Sequence, residues 1–346
     1  MADESKTDQP SQPRQAGVPV AEGPDIETTP GPHLVDRPFT TRRMMVDVLI
    51  GLAPAMAAAV WFFRQHAVIQ VAVCVAAALA TEAVFCWARR RKPSLLDGSA
   101  VVTGVILAFS LPPKLPLYAT VMGAVAAIGL GKMVFGGLGY NIFNPAMVGR
   151  AFLMACFAGP MTSWVAPKTL DAMTTATPLA GAVSKVAAAV IPTSLVPLLT
   201  GNVSGCLGET SAAMILLGGL WVLIRRAGDW RLTAGMLLGV SLVAGIEQLA
   251  KPAGHSLGVA GHLAAGGAML AAFFIVTDPV TTPLTRLGRW IFGLGVGILV
   301  VLIRLFSNLP EGVMYAVLVM NAVSPLLNRW TAPRPVGGHV PRPVAS

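Results

Sequence analysis

Ten apolar runs dominate this chain, at about residues 44–63, 67–87, 99–111, 117–135, 145–158, 209–226, 232–250, 260–277, 288–306 and 311–327. A helix needs about 20 apolar residues to cross a hydrocarbon core of about 30 Å. Inside a bilayer every backbone polar group must be satisfied within the protein, which leaves helices or closed barrels as the spanning structures. Runs of this length select helices. Composition agrees, since 54% of residues are hydrophobic and 12% are charged, against about 25% charged in an ordinary soluble domain. The reading is an all-α integral membrane protein with about ten transmembrane helices and no large soluble domain.

Residues 1–38 are rich in Pro, Asp, Glu, Gln and Ser and lack an apolar core, so they read as a disordered leader and not as a signal peptide. Residues 331–346 form a Pro-rich polar tail, and 39–330 make a single membrane domain. The formal charge of +9 does not point to nucleic acid, because the basic residues sit at the ends of the apolar runs, where they orient spans. Counted on alternate sides, 17 Lys and Arg fall on the side of the N-terminus and 6 on the other. That bias places both termini in the cytoplasm of a prokaryotic cell and the long polar interval 160–208 on the outer face.

The two halves fall into register. Gly98-Ser99-Ala100, Pro116-Leu117 and Asn144-Pro145 in the first half match Gly266-Gly267-Ala268, Pro283-Leu284 and Leu309-Pro310 in the second, with spacings of 18 and 29 residues against 17 and 27. Repeat one covers about 44–158 and repeat two about 209–327. Five spans per repeat is an odd number, so the repeats are inverted, an architecture of transporter-like proteins. The third, fifth and eighth runs are short. Thirteen residues from Ser99 to Leu111 rise only about 20 Å, which predicts broken or half-helices lining an internal site.

Several residue sets bear on chemistry. Cys74, Cys86, Cys156 and Cys206 show no CxxC spacing and read as buried, inert thiols, which argues against an iron–sulfur centre held wholly by this chain. His255 and His262 are seven apart, and an interfacial or capping role outweighs a metal site. Asp47, Glu82, Arg150, Glu247 and Arg304 lie in or at the ends of apolar runs, where each needs a partner, a cavity or the interface. Asn144-Pro145 fits a helix N-cap followed by proline at the first helical position. No nucleotide-binding fingerprint is present.

The polar interval contains Asp171-Ala172-Met173-Thr174-Thr175-Ala176-Thr177-Pro178. By composition alone it is a Thr-rich connector closed by proline. It resembles the flavin-attachment motif Asp-x-x-Ser/Thr-Gly-Ala-Thr, with Asp171, Thr174, Ala176 and Thr177 matching and Thr175 standing where the motif has glycine. Further stretches carry a wider resemblance: Leu96-Asp97-Gly98-Ser99-Ala100, Gly131-Lys132, Phe135-Gly136-Gly137-Leu138-Gly139, Asn141-Ile142-Phe143-Asn144-Pro145-Ala146-Met147-Val148-Gly149-Arg150, Thr277-Asp278-Pro279 and Pro310-Glu311-Gly312. Together they resemble the RnfD/NqrB family, and within it the RnfD component of Rnf ion-translocating electron transport complexes. The NqrB component of the sodium-pumping NADH:quinone reductase is the near alternative.

The resemblance implies a flavoprotein subunit that couples electron transfer to translocation of Na+ or H+ within a multi-subunit complex. It implies FMN esterified through its phosphate to Thr177 by a dedicated flavin transferase outside the cytoplasm. It further implies a second, non-covalent flavin, riboflavin, held with the help of Asn141 and Asn144, as in the NqrB relatives. Periodicity alone leaves a solute channel or permease, or a redox-silent scaffold, open.

Overall fold

A polar residue stands before several of the apolar runs and starts the helix by capping it. In the computed structural model Thr40 accepts from the Arg43 amide ahead of α1 (Thr41–Phe63), and Asn144 accepts from Ala146 and Met147 ahead of α5 (Pro145–Cys156). The structure describes residues 27–28, 34–35, 40–90, 95–165, 196–201, 203–209, 211–250, 257–265, 267–307 and 312–333. Asp171, Thr174, Ala176 and Thr177 lie outside the described residues, as do His255 and Glu311. Two short strands, β1 (Glu27–Thr28) and β2 (Leu34–Val35), pair antiparallel before the first helix.

Helices occupy all ten apolar runs. Arg64 alone, at φ 51°, links α1 to α2 (Gln65–Ala88). Then come α3 (Ser99–Phe109), α4 (Leu117–Ile128) and α5, followed by the short α6 (Ala158–Met161) and α7 (Val196–Thr200). The second half holds α8 (Ala212–Ile224), α9 (Trp230–Ala250), α10 (Gly258–Ala264), α11 (Ala268–Leu270), α12 (Arg286–Phe306) and α13 (Val313–Trp330). α1, α2, α9 and α12 are each long and apolar enough to cross a bilayer. The third, fifth and eighth runs are short, as expected: 11 residues in α3, 12 in α5, and a bend of 67° between α10 and the segment that begins with α11. α4 and α11 each end in one wider, π-type turn, Gly129–Met133 and Ala271–Ile275.

The packing repeats with the sequence. In the first half α2 packs on α3 and α4, and α4 on α5; in the second α9 packs on α10 and α12, and α12 on α13. The halves join through equivalent helices, α1 against α8 and α5 against α13. Small residues permit these approaches. At the α1–α8 crossing a Cβ on Gly218 would sit 1.7 Å from the Gly51 carbonyl oxygen. At the α9–α12 crossing Gly235 and Gly239 face Gly293 and Gly297, and a Cβ on Gly297 would meet the Met236 oxygen at 2.3 Å. In lipid, where burying apolar surface gains little, such backbone contact and van der Waals packing drive helix association.

Three of the basic residues counted for orientation lie inside the bundle. Lys132, Arg150 and Arg304 are 1%, 5% and 1% exposed, so they bind within the bundle and contribute nothing to the interface. The bias of the remaining basic residues keeps its direction. Cys74, Cys86 and Cys206 are buried as expected, but Cys156 is exposed because it ends α5 on the outside of the bundle.

Candidate functional site: a polar cavity shared by both halves

Asn144 ties the two halves together. Its Oδ1 caps α5 at 3.1 Å from the Ala146 amide and 3.3 Å from that of Met147. Its own amide donates to Asn321 Oδ1 of α13 at 3.0 Å, and its Nδ2 to Asp278 Oδ2 at 3.4 Å. Asn321 Nδ2 in turn donates to the Thr281 carbonyl at 3.2 Å. One asparagine therefore caps a half-helix and also holds the repeat-related helix and the loop after α11. The capping role anticipated for Asn144 is present.

Asp278 is the acidic member of this group. It lies in the loop between α11 and α12, where burial pushes its carboxyl above the ordinary range and hydrogen bonds from the Val280 amide and the Thr281 hydroxyl draw it part of the way back.

Lys132 is the basic member, placed by the wide turn that ends α4. Its Nζ donates to both Glu82 carboxylate oxygens, at 2.9 and 3.0 Å, and to Ser99 Oγ at 2.6 Å. All three ammonium donors are thereby used. Ser99 opens α3 and donates its hydroxyl hydrogen to Asp97 Oδ1 at 2.6 Å. Glu82 and Lys132 are 0% and 1% exposed, so the pair persists only because each charge compensates the other.

Between Lys132 and Asn144 lies a cavity of ≈ 70 Å³. Ser99, Thr103, Asn141, Thr277 and Asp278 supply its polar wall, and Met44, Met45, Ile106 and Phe274 its apolar wall. Asn141 donates through Nδ2 to the Phe143 carbonyl at 3.4 Å, while its buried Oδ1 has no hydrogen-bond partner among the described residues. A cavity of this size holds a few waters or the edge of a planar ring. A larger cavity of ≈ 440 Å³ adjoins it through Met44, Ala227, Thr277 and Pro279. Its walls include Arg226, and also Arg231 and Arg289, which share the Asp229 carboxylate.

The other intramembrane charges also find partners. Asp47 meets Arg225 Nε at 3.1 Å, Arg150 reaches Cys206 Sγ at 3.5 Å, and Glu247 pairs with His262. Arg304 binds the carbonyls of His262 and Ala265 where α10 ends. No cluster of three or more metal-ligating side chains occurs among the described residues. Sequence reasoning anticipated Asn141, Asn144 and the need to pair Glu82 but did not place Lys132, Ser99 or Asp278 at the cavity, or Asn321 against Asn144. Lys132 and Asp278 were visible within Gly131-Lys132 and Thr277-Asp278-Pro279; Asn321, in the middle of an apolar run, gave the plainest unused signal.

Residues 27–337 match the family described as NQR2, RnfD, RnfE. Among characterised relatives, the chain is 39% identical over 318 residues to the D component of the Na(+)-translocating ferredoxin:NAD(+) oxidoreductase complex of Acetobacterium woodii, covering 90% of this chain and 96% of the relative. It is 39% identical over 325 residues to the D component of the ion-translocating oxidoreductase complex of Stutzerimonas stutzeri, covering 85% and 92%. It is 36% identical over 304 residues to the D component of the proton-translocating ferredoxin:NAD(+) oxidoreductase complex of Clostridium ljungdahlii, covering 84% and 90%.

Proposed function

Because the chain belongs to the NQR2, RnfD, RnfE family, we propose that it is the flavin-bearing membrane subunit of an Rnf-type complex, coupling electron transfer to movement of Na+ or H+. The observation that carries this reading is near full-length similarity to the D components of ion-translocating oxidoreductase complexes. Relatives named for Na+ and for protons match at 39% and 36% identity, so similarity does not choose the ion. The chain acts with the other subunits of the complex, which handle the soluble electron donor and acceptor.

Thr177 is the attachment residue in this reading, esterified to FMN, with Asp171, Thr174 and Ala176 completing the segment recognised by a flavin transferase. Flavin supplies the electron-transfer chemistry when bound. The tether keeps the carrier from dissociating between turnovers and makes its encounter with a redox partner effectively unimolecular. Thr175 replaces a residue with wider backbone freedom but leaves the acceptor hydroxyl of Thr177 in place.

Asn141 and Asn144 are the residues that would hold a non-covalent flavin such as riboflavin. The unpartnered Asn141 Oδ1 suits an imide N–H, and the Thr103 hydroxyl suits a carbonyl oxygen. Met44 and Met45, which line the cavity, are side chains able to yield to a ring edge. Denaturing electrophoresis under ultraviolet light tests the covalent part: the wild-type band fluoresces and Thr177→Ala is dark. Fluorescence retained in Thr177→Ala but lost in Thr174→Ala would move the acceptor. Flavin extracted from the native complex, compared with Asn141→Leu and Asn144→Leu, tests the second site.

A further inference from the structure

The repeat relation links two buried acid–base groups. In the first half an acid near the end of α2, Glu82, meets a base at the end of α4, Lys132, beside the first residue of α3. In the second half the corresponding parts are Glu247 near the end of α9, Arg304 near the end of α12, and His262 on α10. The partners have been exchanged. His262 Nε2 stands 2.7 Å from Glu247 Oε2. Arg304, which takes the place of Lys132, instead donates to the His262 carbonyl at 2.8 Å and the Ala265 carbonyl at 3.0 Å, satisfying backbone freed by the bend.

We propose that Glu247 and His262 form a proton-loading site in the half of the bundle opposite the Glu82–Lys132 pair. An ammonium keeps its proton beside a carboxylate, so the first-half pair is fixed in charge; an imidazole exchanges one readily. Burial of both side chains, 3% and 1% exposed, ties any change in proton number to a change in buried charge. His262 Nδ1 is buried with no hydrogen-bond partner among the described residues. One proton is shared between Nε2 and the carboxylate, and a second, taken from water, forms the other N–H bond. The site then holds imidazolium against carboxylate and gains one unit of positive charge; release reverses the step.

Other charged groups lie close by. From α12 comes Arg304, whose Nε is also without a partner among the described residues; from the turn Leu207–Glu209 comes Glu209, whose Oε1 likewise lacks one and whose Oε2 accepts from the Cys206 amide at 3.3 Å. Arg150 reaches the same turn through Cys206. α7 brings Leu198, which packs with Leu257 and Ala265 at either end of α10. The helix closing the long polar interval therefore rests on the helix that carries His262. This inference goes beyond the flavin reading and stands whether or not Thr177 is modified.

The experiment is infrared difference spectroscopy of the purified, assembled complex stepped through pH, in water and in deuterium oxide. The wild type is expected to give linked imidazole and carboxylate bands that disappear in both Glu247→Gln and His262→Gln. His262→Lys, which imposes the fixed charge of the first-half pair, should assemble and also lose them. Bands unchanged in these variants, or no such bands in the wild type, would overturn the proposal. Should the glutamine variants fail to assemble, His262→Lys and the wild type decide it alone.

Discussion

Replacing Lys132 by Met should be among the most damaging single changes in this protein, and neutralising Glu82 at the same time should reverse most of the damage. The ammonium makes three hydrogen bonds, two of them to a carboxylate that is 0% exposed. Methionine matches the volume and leaves the packing, so what is lost is compensation of a buried charge. Breaking such a pair from one side costs about 3–5 kcal/mol, whereas exchanging both members for neutral groups is often nearly neutral. At about 1.4 kcal/mol per factor of ten, Lys132→Met should shift the folding equilibrium by roughly two to three and a half decades. Lys132→Met with Glu82→Gln should stay within about 1 kcal/mol of the wild type. Thermal denaturation of the detergent-solubilised complex, followed by size-exclusion chromatography, measures all three variants and Glu82→Gln alone. A loss below about 1 kcal/mol in Lys132→Met, or a double variant as damaged as the single, would refute the reasoning.

Other consequences are equally direct. Gly297→Leu places a side chain where a Cβ alone would sit 2.3 Å from the Met236 oxygen, so α9 and α12 must part; a loss of about 1–3 kcal/mol or more is expected, read by the same denaturation assay, while Gly159→Leu, with open space around it, should be silent. Asp278 has a raised affinity for protons in the fold, so the folded state binds more protons than the unfolded one, and this residue's contribution to stability falls as pH rises through its titration. Asp278→Asn should remove that slope, which a melting-temperature series against pH would reveal; an unchanged slope would exclude Asp278 as its source. A membrane-impermeant thiol reagent applied to intact cells should label a cysteine placed at Lys168 and spare one placed at Arg91, and the reverse pattern would invert the orientation.

Much of the scaffold was legible in the residues. Apolar length fixed the ten helices because bilayer thickness and backbone hydrogen bonding leave few alternatives. Short runs marked the places where helices end inside, and Asn144-Pro145 announced its own cap. Pairing was not legible. Lys132 at the end of an apolar run looks like an interfacial anchor, and only the fold brings Glu82, 50 residues away, to its ammonium. Arg304 needed a partner, and only the fold shows it binding carbonyls 42 and 39 positions earlier in the chain. Asn321 reaches Asn144 across 177 residues. Charge near a membrane is ambiguous in sequence because the same residue type serves interface and interior, and tertiary contacts settle which.

The central claim, that this chain carries a flavin through Thr177, is tested most directly by the intact mass of the purified protein after co-expression with a flavin transferase, followed by peptide mapping. The account predicts a chain heavier by one FMN less one water, the addition confined to the peptide containing Thr177 and absent in Thr177→Ala. A chain of unmodified mass, or an addition on a peptide without Thr177, would contradict it.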